Sequence, residues 1–383
     1  MPHHYFDHNA TTPLAPAVRA AYVEALDGVY GNASSIHQFG QLAKQRLEEA
    51  RRRVAARLSA HPKEIVFLSG GTEGDNLALR GVARPGSHIV TTAIEHPAVL
   101  NTCAALEREG AAVTYVPVGA SGIVDPDAIG RALKPNTILV SVMHANNELG
   151  TIQPITEIAR ITRAAGVLLH SDGVQAFGKI EAAMDDLQVD LYTISGHKAG
   201  APKGIGALYI RGETLIRAVS FGGRHERERR PGTENVPGAA ALGCAAETAG
   251  CSGVALLRDR LECQILERVP AAHVNGADHR VPNTTNMRFD GIEGEALLIS
   301  LDLRGFAVSS GAACSSGAVE PSHVLTAIGL SPRDARSSLR FSLGPSNTAS
   351  EVDALTEAVV QSVAHLRRIS TDSFPAKSAH AYV

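Results

Sequence analysis

Short apolar, β-branched runs alternate with helix-like stretches along much of the chain. Ile65-Val66-Phe67-Leu68, His88 to Thr92, Val113 to Val116, Ile138 to Met143, Val167 to His170 and Asp190 to Ile194 read as strands. Helical stretches lie between them, at Gly71 to Leu79, Ala98 to Glu109, Ala128 to Ala132 and Ile155 to Ala165. Ahead of them, Gln41 to Leu58 sets Leu42, Leu47, Ala50, Val54 and Leu58 on one stripe, with Arg and Glu opposite. Such alternation predicts an α/β fold, a mostly parallel sheet covered by helices. Ligands of these sheets sit beyond the carboxyl ends of the strands. The residues just after each apolar run are therefore the first candidates for chemistry.

The texture changes after about residue 250. A helix-like stretch from Val254 to Arg268 leading into Asn286-Met287-Arg288-Phe289, a helix from Glu293 to Asp302 and a Ser/Gly-rich stretch from Ser309 to Gly317 predict a second, smaller α+β domain. We place a large domain over residues 13–250 and the small one over 1–12 with 251–383. The tail after Ser370 reads as short, polar and loose.

With 44% apolar and 20% charged residues, a chain of this length supports a sizeable core. A net charge of −3 gives no electrostatic reason to expect nucleic acid or a membrane surface as partner. No apolar run is long enough to span a bilayer, and residues 1 to 7 show no signal-peptide pattern. The five cysteines are scattered with no C-x-x-C pair, which speaks against a disulfide framework or a zinc site and fits a reducing cytoplasm.

Lys198 ends the run Val189 to Ile194 through Ser195-Gly196-His197. A lysine desolvated at a strand end can lose its proton and join a carbonyl cofactor as a Schiff base. Gly70-Gly71-Thr72, between strand and helix, can seat a phosphate on backbone N–H groups, although the same triplet is a common turn. Asp172 follows another strand and can hold a pyridinium nitrogen protonated, or simply cap a turn. His96, in Glu95-His96-Pro97, can stack on a ring or move protons. Arg340 lies in a strand-like run and can fork onto a carboxylate. Cys314 sits among small polar residues, where a thiol is free to react. Cys103, Cys244, Cys251 and Cys263 sit in apolar helix-like context, where burial is expected.

Taken in order, these motifs resemble the cysteine desulfurases of the nitrogen-fixation and iron–sulfur-cluster assembly type, pyridoxal-phosphate enzymes with an aspartate-aminotransferase-like fold. The likeness runs through Asp7-His8-Asn9-Ala10-Thr11-Thr12-Pro13, Gly31 to His37, Gly71-Thr72-Glu73, Glu95-His96, Asn146 to Gly150, Asp172-Gly173-Val174-Gln175, Ser195 to Lys198, Arg230 to Thr233, and Cys314 with Glu320 to Leu325 behind it. The resemblance implies a large domain built on a mostly parallel sheet of the seven-stranded type. It implies that Lys198 carries pyridoxal phosphate, and that Gly71, Thr72, Ser195 and His197 hold its phosphate. Thr233 would add a contact from the second subunit of a homodimer. Asp172 would pair with the ring nitrogen, Gln175 would bond the ring oxygen and His96 would stack on the ring. Asn32, Asn147 and Arg340 would bind the carboxylate of L-cysteine, and Cys314 would take its sulfur as a persulfide. His96 is the candidate to help Cys314 ionise. A sulfur-acceptor or iron–sulfur scaffold protein would be the partner, with the Cys314 persulfide touching a nascent cluster.

Two departures stand out. Gly200 and Ala201 replace a bulky residue and a glycine of many relatives, and Gly71 stands where alanine is common. The alternatives are another pyridoxal-phosphate reaction on the same fold, selenocysteine lysis or transamination, or a catalytically dead scaffold. Keeping Lys198, Asp172 and Cys314 together argues against the scaffold, and Cys314 argues against transamination.

Overall fold

The computed structural model of the chain describes residues 4–212, 214–311 and 320–373. Seven strands form the main sheet: β2 (Ile65–Leu68), β3 (His88–Thr92), β4 (Ala112–Val116), β5 (Thr137–Ser141), β6 (Leu168–Asp172), β7 (Leu191–Ser195) and β8 (Gly206–Ile210). Their order is β2-β8-β7-β6-β5-β3-β4. Pairings from β7 across to β4 are parallel, whereas β8 runs against both β2 and β7. The carboxyl ends of β2, β3, β5, β6 and β7 therefore share one edge.

The inner strands of the sheet are buried on both faces, so they show no strict alternation of apolar and polar residues, whereas the edge strand β4 is partly exposed. Successive side chains point to opposite faces. Ile65 and Phe67 of β2 pack with Leu47 and Val54 of the helix Gln38–Arg57, while Val66 and Leu68 pack with Leu77 and Leu79 of the helix Gly71–Val82. In β8, Ala207 and Tyr209 join the first core and Leu208 and Ile210 the second. Sequence reading missed β8, because its short apolar run emerges from the Gly-rich stretch that follows Lys198. It gave helix-like context around Cys244 but no bounds for the helix Val236–Thr248, which packs on Gln38–Arg57.

A separate core gathers Phe6, Leu261, Met287, Phe289, Leu297, Phe341 and Val359. Its sheet is β12 (Ser338–Ser342), β10 (Thr284–Phe289) and β9 (Ala272–Val274), all antiparallel. A two-residue strand β1 (His4–Tyr5) pairs in parallel with β11 (Phe306–Ala307) beside it. The helix Ala349–Ser373 covers this core and continues past Ser370, where the sequence reads as a loose tail.

The first residues also cross to the main sheet. Ser342 N donates to Phe6 O (2.8 Å) in the small core, and Thr12 N donates to His197 O (2.8 Å) at the end of β7. Asn9 and Ala10 are thereby laid over the carboxyl edge of the large sheet.

Candidate active site

A cavity of about 370 Å³ opens at that edge. Gly71, Thr72, His96, Asn147, Asp172, Gln175, Ser195, His197, Lys198 and Arg340 all line it, as sequence reasoning grouped them. Asn9, Asp75, Ser309 and Gly311 also stand in the wall.

Lys198 ends the short turn after β7. Its Nζ donates to the carbonyls of Asn9 (2.6 Å) and Ala10 (2.8 Å). Burial and the Arg340 charge bring its pKa down to about 8, against the pull of Asp7 and Asp172. Such an amine is partly neutral near physiological pH and can act as a nucleophile or base.

Asp172 ends β6 and is buried. It accepts one backbone bond, from Val174 N to Oδ1 at 2.9 Å. Burial raises its pKa, while His96 and Lys198 pull it down. Beneath it lie Asp75 and Glu95, both buried and both raised, Glu95 to about 8, chiefly by loss of solvent. Asp75 Oδ1 and Glu95 Oε2 have no hydrogen-bond partner, although His170 Nε2 lies 3.6 Å from Asp75 Oδ1. Crowded buried carboxyls resist full ionisation, and a cation above Asp172 would favour its charged form.

His96 caps the helix Pro97–Arg108, accepting from Ala98 N at Nδ1 (3.1 Å). Burial lowers its pKa. The neutral ring therefore carries its proton on Nε2. This makes it a donor at that atom. His197 is also held neutral, with its pKa down to about 4 by burial and the charges of Lys198 and Lys203; its Nδ1 meets Thr11 Oγ1 at 3.1 Å.

The helix Gly71–Val82 begins at the cavity with no side-chain cap. Its free N–H groups and positive dipole end, with the hydroxyls of Thr72 and Ser195, suit a phosphate. A Cβ on Gly71 would lie 2.8 Å from Val174 Cγ2, so glycine fits where alanine would push Val174. The donor set therefore fits pyridoxal phosphate: an amine of lowered pKa, a buried carboxylate and an uncapped helix end.

Two expected residues stand outside the cavity. Asn32 is exposed outside the cavity, its Oδ1 taking Ser34 N (2.8 Å) in a local turn, so the expectation that it touches substrate is not met within this chain. Thr233 is exposed and lines no part of its own chain's cavity. Its loop is anchored at Glu226, buried against Arg51 with two contacts of 2.7 Å. Cys314 lies outside the described residues. The expected burial holds for Cys103 and Cys244, whereas Cys251 is half-buried and Cys263 is exposed, its Sγ donating to Glu267 Oε1 at 3.3 Å.

Gly200 adopts a φ of +82° and donates to Thr12 Oγ1 (2.8 Å), turned away from the cavity, while Ala201 is buried in the core. The departures after Lys198 thus leave the site wall untouched. Sequence reasoning gave no role to Asp7, Asn9, Asp75 or Lys179. Asp7 and Asn9 lay in a quoted motif, but only folding shows what they touch.

The chain matches the family Aminotransferase class-V over residues 4–355. It is 48% identical to Cysteine desulfurase 1 of Trichormus variabilis over 96% of this chain and 94% of that protein. It is 45% identical to Cysteine desulfurase IscS of Methanosarcina thermophila, with 96% and 93% covered. Among solved structures, a NifS-like protein aligns with a TM-score of 0.89 and 36% identity over 95% of this chain and 100% of its own. SspA in complex with cysteine aligns at 0.82 and 35%, over 90% and 100%. The chain belongs to the class-V aminotransferases, among their cysteine desulfurases.

Proposed function

We propose that the protein converts L-cysteine to L-alanine and passes the sulfur to Cys314 as a persulfide. The observation that carries this is the convergence of Lys198, Asp172, Thr72, His96 and Arg340 on one cavity. Lys198 would hold pyridoxal phosphate covalently. Gly71, Thr72, Ser195 and His197 would hold its phosphate, Asp172 its ring nitrogen, Gln175 its ring oxygen and His96 its face. The bound cofactor supplies an electron sink for the pair left on the substrate's α-carbon.

The chain's own residues do the rest. Arg340 and Asn147 bind the substrate carboxylate and orient the α-carbon toward Lys198. Lys198 Nζ removes the α-proton and returns a proton to the substrate skeleton. Asp172, as a carboxylate, would keep the ring nitrogen of the bound cofactor protonated. Cys314 Sγ, as thiolate, attacks the substrate sulfur: an S–S bond forms, the C–S bond breaks and alanine leaves. Cysteine plus enzyme thiol thus gives alanine plus enzyme persulfide, with no outside oxidant.

We further propose a cytoplasmic homodimer in which Thr233 completes the partner subunit's phosphate site. Residues 13–250 form its large domain, and 1–12 with 251–383 the small one. The sulfur would go to an iron–sulfur scaffold or another acceptor protein. Incubation with pyridoxal phosphate and L-cysteine should yield alanine and sulfide in equal amounts under reductant. Absence of alanine with cofactor bound would overturn the reading.

A further inference from the structure

Gln175 and Lys179 follow β6 in one turn-rich segment, where the chain folds back on itself from Gly173. Phe177 N donates to Gly173 O (2.9 Å), and Lys179 N to Ala176 O (2.9 Å). That curl brings side chains four apart to one side. Lys179 Nζ donates to Gln175 Oε1 (2.5 Å) and to Asn9 Oδ1 (2.8 Å), and Gln175 Nε2 donates to the Asn9 carbonyl (3.0 Å). Asn9 is nearly fully buried, and its own amide donates to Asn147 O (3.1 Å) and Thr284 Oγ1 (2.8 Å). The same Asn9 carbonyl takes Lys198 Nζ. One buried network thus joins the two lysines, the glutamine and the first segment.

A glutamine amide can present either its oxygen or its NH₂ group to a ligand, and its neighbours decide which. Here both neighbours agree. Lys179 brings N–H donors, so the amide oxygen faces it. The Asn9 carbonyl accepts, so the nitrogen faces that way, with one N–H left over. Gln175 lines the cavity and Lys179 does not; Lys179 lines a neighbouring hollow with His8, Cys251 and Asn283. Lys179 therefore reaches the site only through Gln175 and Asn9. It is squeezed by burial and by the charges of Lys198 and Arg340, which lower its pKa to about 7. Charged or neutral, it still has an N–H for each of its two acceptors.

We propose that Lys179 is a positioning residue that fixes the polarity of Gln175, so that the glutamine offers the cavity an N–H donor and never its oxygen. This rests on the reading above that Gln175 faces the ring oxygen of pyridoxal phosphate. A donor there favours the ionised ring oxygen; a carbonyl oxygen there would repel it.

The test uses cofactor-free protein titrated with pyridoxine phosphate, which keeps the ring oxygen but has no carbonyl for Lys198. Lys179→Met leaves the Gln175 oxygen without its donor, and the Kd should rise about tenfold. Gln175→Ala should do the same, and the double variant should be no worse than Gln175→Ala alone. Lys179→Arg keeps the donors and should bind as wild type. In protein loaded with pyridoxal phosphate, Lys179→Met should move the pH midpoint of the visible absorbance upward by about one unit. Additive losses in the double variant, or an unchanged Kd and midpoint in Lys179→Met, would overturn the proposal. If Lys179→Met does not fold, Lys179→Ala against Lys179→Arg carries the comparison: loss with Ala alone supports the idea, equal affinities refute it. Wild-type protein that binds no pyridoxine phosphate would overturn the cofactor reading itself, and this proposal with it.

Discussion

Arg340 Nη2 donates to Asp7 Oδ1 at 2.6 Å. The pair ties a strand of the small core to the segment that anchors Lys198. Arg340 Nη1 is taken by the Asn147 carbonyl (2.9 Å), and its buried Nε has no partner. The guanidinium is thus aimed from two sides, with donors left for a carboxylate. Asp7→Asn weakens one charged hydrogen bond, and the KM for cysteine should rise about tenfold. Arg340→Ala should raise it by more, about a hundredfold, since it also removes the fork itself. Cofactor binding should survive in both. An unchanged KM in Arg340→Ala would remove it from the carboxylate site.

Lys198 should capture pyridoxal phosphate with a rate that climbs through pH 8 rather than through the ordinary lysine range. Capture needs the neutral amine, and the folded chain lowers the pKa from 10.5 to about 8. Rapid-mixing absorbance on cofactor-free protein measures this directly; a midpoint near 10 would show that the amine is not desolvated. Lys198→Ala should abolish the capture, and borohydride reduction should mark the Lys198 peptide alone. A label on Lys203 would reassign the link.

Much of this was legible in the sequence because the inner strands are buried on both faces. Ile65 to Leu68 stands out as an uninterrupted apolar run and Leu191 to Ile194 as a largely apolar, β-branched one, and the reactive residues come soon after them. β8 was not legible, since Gly206-Ala207 continues a glycine-rich stretch and only pairing with β2 and β7 makes it a strand. The contacts of Asp7 and Asn9 were hidden for another reason. They depend on a crossing of 189 residues between Asn9 and Lys198, which no local pattern encodes. Asn32 and Thr233 show the same limit in reverse: a family motif names them, but a single chain leaves both outside its cavity.

Glu95 should make stability fall as pH rises. It is buried, with Oε1 accepting from Thr92 Oγ1 (2.6 Å) and Met143 N (3.0 Å) and Oε2 unpartnered. Its pKa is raised from 4.5 to about 8. Between those values the folded state holds a proton that the unfolded state has lost, so folding free energy declines across that window. Glu95→Gln keeps an acceptor oxygen and never ionises. It should match wild type at pH 4.5 and be the more stable form at pH 8, by urea midpoint. A variant less stable than wild type at pH 8 would mean that Glu95 works as an anion.

Cys314 should be the one cysteine that turnover requires. Among the others, Cys103 is buried with its thiol pushed up to about 12, chiefly by burial. Cys244 and Cys251 are raised by the same cause, and the exposed Cys263 is raised by its bond to Glu267. None of these four is poised as a thiolate, and the thiolate is the nucleophile. Cys314→Ser should still bind pyridoxal phosphate and still change its absorbance on adding cysteine, because those steps need only Lys198 and the carboxylate-binding groups. Sulfide and alanine release should be lost, since a hydroxyl is a poor nucleophile toward sulfur at neutral pH. Wild-type protein treated with cysteine and no reductant should gain one sulfur atom on the Cys314 peptide, read by mass spectrometry. Sulfur found on Cys251 or Cys263 instead, or wild-type turnover by Cys314→Ser, would refute the persulfide step and leave lysis without a protein nucleophile as the remaining chemistry.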